Sequence, residues 1–149
     1  MALQSPTTSE EHAKRLLLAS TDADVRGWAQ DCLPSAVTLC GFADYDSDVA
    51  ELARRLQVDV CLLDIGLPGD ALAALRAVAE SAPAVHVVAW AASDSNPGLL
   101  EAIAAGAIGC IVGTPDREAL ARSFADVVAG KPTLPRSVAT RLVFQLRML

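Results

Sequence analysis

Short apolar runs and helical patterns alternate five times along this chain. Leu16-Leu17-Leu18-Ala19 is the first run; Val25, Trp28, Ala29, Cys32 and Leu33 then recur at i, i+3, i+4, i+7 and i+8, one face of a helix. Val37 to Phe42 is the second run, with Val49, Leu52, Ala53 and Leu56 marking the next helix. Val58 to Leu63 ends at Asp64 and is bounded by Gly66, Pro68 and Gly69, the pattern of a buried parallel strand. An Ala-rich helix over about residues 70–81 follows, then a fourth strand from Val85 to Trp90. Asn96-Pro97 supplies a cap and a first-turn proline for a fourth helix. Ala107 to Val112 is the fifth strand, and Thr114-Pro115-Asp116 starts a fifth helix that stops at Gly130.

Strand-then-helix repeats with short connections predict an α/β fold whose parallel sheet is covered on both faces. A flavodoxin-like (βα)5 three-layer sandwich, with five strands in the order 2-1-3-4-5, accommodates all five units. Residues 14–130 form this unit, residues 1–13 read as a polar disordered leader, and residues 131–149 read as a linker or C-terminal helix. No GxGxxG or GxxxxGK[ST] follows any strand, so the usual phosphate cradles of nucleotide-binding α/β folds are missing. Ligands bind such sheets beyond the carboxyl ends of the strands. Asp64 should stand on that rim.

Composition narrows the choice. Apolar residues make up 52% of the chain and aromatic ones only 4%, which argues against an aromatic stacking platform for nucleic acid. No apolar stretch approaches the ~20 residues of a membrane span. The expected location is cytoplasmic, with no membrane partner. Cys32, Cys40, Cys61 and Cys110 form no CxxC pair, and neither His12 nor His86 has a partner at ligand spacing, so no metal site is expected. The net charge of −6 is uneven: residues 1–130 hold 8 basic and all 18 acidic residues, or −10, and the last nineteen carry +4. A body this acidic repels a phosphate backbone. Any DNA contact must come through another domain.

Asp64-Ile65-Gly66-Leu67-Pro68-Gly69 resembles the D-x-x-x-P-G phosphoacceptor loop of response-regulator receiver domains. Ala104-Ala105-Gly106-Ala107-Ile108-Gly109-Cys110-Ile111-Val112 is similar to the same family's passage into its fifth strand. Ala129 to Pro135 resembles the exit from receivers joined to a LuxR-type helix-turn-helix, but the 149 residues end before such a domain. The resemblance makes Asp64 the phosphoacceptor equivalent. In the family an acidic pair after the first strand helps hold Mg²⁺, a hydroxyl follows the fourth strand, and a lysine follows the fifth. Here Ser20 and Thr21 stand at the acidic pair, Ala91 at the hydroxyl and Gly113 at the lysine. Asp22, Ser93 and Thr114 lie one or two residues away, but strand-end side chains alternate direction with each residue.

The consequences can be ordered. Mg²⁺ takes one or two carboxylates plus phosphate in near-octahedral geometry, so Asp64 alone is a poor site and no cofactor is expected. The absent lysine and hydroxyl remove two charged hydrogen bonds worth roughly 1.5–3 kcal/mol each. A decisive two-state switch needs about 5.5 kcal/mol of differential binding. The expected function is therefore that of a divergent, phosphorylation-independent receiver (a pseudo-receiver) of a transcriptional regulator, not an enzyme. It would act by dimerisation or by binding a ligand or partner, and would touch DNA only through a domain outside this sequence. The alternatives are a phosphorelay receiver served by a sensor kinase at Asp64, and a small α/β enzyme. In the tail, Ser137 is a candidate N-cap. Val138, Leu142, Leu146 and Leu149 mark one apolar helical stripe, a candidate dimer face; the fourth and fifth helices with the fifth strand are the other, and the tail is preferred.

Overall fold

The computed structural model describes residues 13–149, so the expected leader lies, through residue 12, outside the described residues. The elements are β1 (Lys14–Ala19), α1 (Ala23–Cys32), β2 (Val37–Ala43), α2 (Asp46–Arg55), β3 (Val60–Asp64), α3 (Ala71–Ser81), β4 (His86–Ala91), α4 (Gly98–Ala104), β5 (Gly109–Val112), α5 (Arg117–Val128) and α6 (Arg136–Arg147). The five strands are parallel and ordered β2-β1-β3-β4-β5, the flavodoxin-like arrangement the sequence predicts.

The alternation of apolar side chains along the strands creates two cores, one on each face of the sheet. Leu17, Cys61, Leu63, Ala89 and Cys110 point into the face covered by α2, α3 and α4. Leu16, Leu18, Leu62, Val88 and Ile111 point into the face covered by α1 and α5, where Trp28, Leu120 and Phe124 close the layer. Cys61 and Cys110 act as small hydrophobes: burial pushes their thiols up to about 12 and about 11.

Three helix starts differ from the sequence reading. Asn96 caps by accepting the Gly98 N–H at 2.8 Å, but Pro97 takes the N-cap position itself. The fifth helix is capped by Asp116, not Thr114, because its carboxylate reaches the Ala119 N–H at 2.9 Å and suits the positive helix end. Ser137 is not a cap: α6 begins at Arg136, with Pro135 at the N-cap position and no side-chain cap bond.

The tail shares the body's core. Thr133 forms a parallel bridge to Gly109, and its carbonyl accepts the Cys110 N–H at 2.8 Å, extending the sheet beside β5. A Cβ on Gly109 would fall on the Thr133 carbonyl, so this close approach requires glycine. Val138 is fully buried in the α2–α3–α4 core, α6 lies against α4, and Arg141 donates to the Asp94 carbonyl. The expected stripe is thereby divided. Val138 is buried and Leu142 half-buried, but Leu146 and Leu149 are exposed.

Candidate functional site

Asp64 ends β3 at the carboxyl rim, 7% exposed, with its side chain fixed from two directions. Its Oδ2 accepts the Ser20 hydroxyl at 2.7 Å, and its Oδ1 accepts the Gly66 N–H at 2.8 Å. Ser20 is fully buried, and its oxygen in turn accepts the Asp22 N–H at 3.1 Å. A single relay thus joins the loop after β1, the end of β3 and the loop after it. Such a buried network is stable because every member has a partner.

The acceptor-type loop is held from the neighbouring element. Asp46, in the first turn of α2, accepts the Asp70 N–H at 2.9 Å, and its own N–H donates to the Pro68 carbonyl at 3.3 Å. Gly69 sits at φ +94° with the Asp46 carboxylate where a Cβ would be, so only glycine lets the loop close here. Asp70 then caps α3 by accepting the Ala73 N–H at 3.1 Å.

Of the four positions singled out around Asp64, Ser20 alone is joined to it by a hydrogen bond among the described residues. Thr21 is exposed. Ala91 is buried at the end of β4 and presents only a methyl group. Gly113 has φ +68°, and its carbonyl accepts the Trp90 indole N–H at 2.7 Å. The near neighbours are otherwise engaged. Asp22 caps α1 through the Asp24 and Val25 N–H groups, Ser93 bonds to Ser95, and Thr114 is exposed. Among the described residues, no group of three or more His, Cys, Asp or Glu gathers as a metal-binding set.

Two contributors escape a sequence reading. Arg26 donates to the Ser20 carbonyl at 2.7 Å, pairs with Asp44 and lies over the Phe42 ring at 4.5 Å. It fixes the Ser20 backbone from behind. Trp90 pins the loop after β5 to β4. The first contact spans six residues and the second 23, and neither leaves a periodic trace.

No family model matches the chain. In sequence it is 30% identical over 106 residues to the response regulator GacA of Pseudomonas aeruginosa, covering 70% of this chain and 50% of that protein. It is 33% identical over 103 residues to the DNA-binding transcriptional activator DevR/DosR of Mycobacterium tuberculosis, covering 66% and 48%. The chain spans about half the length of these curated relatives. The LuxR-family two-component response regulator from Aurantimonas sp. SI85-9A1 superposes with a TM-score of 0.78 at 20% identity, over 89% of this chain and 97% of that one. The sheet order, together with the sequence similarity to response regulators over this same domain, gives the class: a response-regulator receiver domain. More narrowly, its fold resembles that of the LuxR-family regulator above.

Proposed function

We propose that this chain is a pseudo-receiver, a signalling domain of a transcriptional regulator that works by association and not by phosphorylation at Asp64. One observation carries the reading: a fully buried serine, at the position of a metal-binding acid, donates a hydrogen bond to Asp64. The donor set suits Mg²⁺ poorly. It offers one carboxylate, each of whose oxygens already accepts a hydrogen bond, and one hydroxyl. A phosphoryl group on Asp64 would displace either the Ser20 or the Gly66 bond, and would meet a methyl group at Ala91 and no side chain at Gly113. The chain carries out no turnover of its own in this reading. DevR/DosR is named as a DNA-binding transcriptional activator. By analogy, the output here is transcription, reached through a DNA-binding domain outside these residues, in the cytoplasm and as a homodimer.

The phosphorelay reading has its own support, since Asp64 and its Gly66-Leu67-Pro68-Gly69 loop keep the rim position. Intact-mass spectrometry after incubation with excess acetyl phosphate and Mg²⁺ separates the two. No phosphoryl adduct is expected. A stoichiometric adduct that disappears in Asp64→Asn overturns the proposal in favour of phosphorelay.

A further inference from the structure

We propose that the outer face of α6 docks on the acidic rim around Tyr45 of a second copy of this chain, and not on the second copy's own α6. The inference rests on the association reading above and names the surface that would carry it.

α6 has two apolar faces. Val138 and Leu142 turn inward onto the body. On the far side, Arg136, Ala139, Thr140, Val143, Phe144 and Arg147 line a shallow groove of about 400 Å³. Val143 is 49% and Phe144 67% exposed, and five of the seven large exposed apolar side chains among the described residues lie in 143–149. Among the described residues, Val143 and Phe144 leave this face of α6 uncovered.

Charge decides what covers it. The groove is apolar in the middle and capped by arginine at each end, and residues 131–149 contain no acid. An antiparallel α6 pair centred on Thr140 and Val143 sets Arg136 against Arg147 of the partner subunit at both ends. A parallel pair sets each arginine against its own copy. Either way like charges face each other, which disfavours the homotypic pair.

The body offers the complement. Residues 1–130 carry −10, and the two other large exposed apolar side chains are Tyr45 and Val128. Tyr45, 58% exposed, stands between Asp44 and Asp46, with Asp48 one turn along α2. Asp22 and Asp24 join the same rim, because Arg26 ties the Ser20 carbonyl to Asp44. The five acids Asp22, Asp24, Asp44, Asp46 and Asp48 outnumber the one arginine of this rim, Arg26, which pairs with Asp44, so an exposed aromatic on a net acidic rim matches an apolar groove ended by arginines. The position also has a consequence for signalling. Asp46 holds the Asp70 N–H, so an arriving helix would act on the loop that Asp64 heads.

Sedimentation velocity on the full chain tests this, at about 0.05 M and about 0.5 M salt, where screening differs severalfold. A dimer that loosens at high salt is expected. Phe144→Ser, Tyr45→Ser and Arg147→Glu should each weaken it roughly tenfold, the loss of one good contact. All three side chains are on the surface, and thermal melts serve as the folding control. Arg147→Glu gives opposite signs for the two geometries. It weakens docking on an acidic rim but tightens an antiparallel α6 pair, where the introduced carboxylate would meet Arg136. Tightening, an unaltered dimer in Tyr45→Ser, a dimer strengthened by salt, or a monomer throughout would each overturn the proposal. Failure of the pseudo-receiver reading shows separately, as a phosphoryl adduct on Asp64.

Discussion

Placing a second carboxylate beside Asp64, by Ser20→Asp, should destabilise the domain without metal and make it respond to Mg²⁺. Ser20 is fully buried with its oxygen 2.7 Å from Asp64 Oδ2, so an Asp side chain cannot avoid close approach. Two carboxylates about 4 Å apart repel by about 4 kcal/mol at an effective dielectric constant of about 20. Outward relaxation at the rim lowers this, and a net loss of about 3 kcal/mol is the working figure. For a domain of this size that corresponds to a fall of roughly 6–12 °C in Tm. Mg²⁺ binding between the two acids reverses the loss, by about 2.7 kcal/mol at a hundredfold excess over Kd. Thermal melts of the native protein and Ser20→Asp, with and without Mg²⁺, measure both quantities. The native Tm should not move with Mg²⁺. A metal-induced rise in the native protein, or a variant equally stable with and without metal, would refute the idea that Ser20 closes the site.

Gly109→Ala should release the linker from β5. The added Cβ displaces the Thr133 carbonyl, costing the bond to the Cys110 N–H plus overpacking, about 2–3 kcal/mol together; hydrogen exchange at Cys110 should quicken, and unchanged exchange would count against it. Val138→Ala should cost about 2 kcal/mol in urea denaturation, because a fully buried side chain of the α2–α3–α4 core is truncated; a loss below the error of the fit would mean that α6 is not seated there. Stability should fall on the alkaline side. The Cys61 thiol is held up at about 12 in the folded state against 9.0 in the exposed one, so the unfolded chain loses its proton first and stability declines from about pH 9 upward. Cys61→Ala should flatten that decline as followed by urea midpoints, and an identical slope would exclude Cys61 as its source.

Local pattern was enough to read the elements and their order. Side-chain period is a local property, so the apolar runs ending at Ala19, Asp64 and Val112 were legible as strands, and Asp64 could be placed on the rim before any contact was known. The departures at Ser20, Thr21, Ala91 and Gly113 were also visible, because each is a residue identity at a strand end. What those residues do depends on contacts made across the fold. Ser20 and Asp64 are 44 residues apart, and whether one reaches the other depends on strand register to a single residue, since side chains alternate faces. Strand ends are legible from sequence only to within a few residues, so the apolar run of β1 could not tell Ser20 from Thr21 as the partner of Asp64. The tail shows the same limit. Its helix and apolar stripe were readable, but only packing turned Val138 into the core while leaving Val143 and Phe144, off the stripe, facing outward. The seat for that helix is Gly109, where the lack of a side chain lets Thr133 approach; two ordinary residues in the sequence become a contact only when β5 and the linker lie side by side.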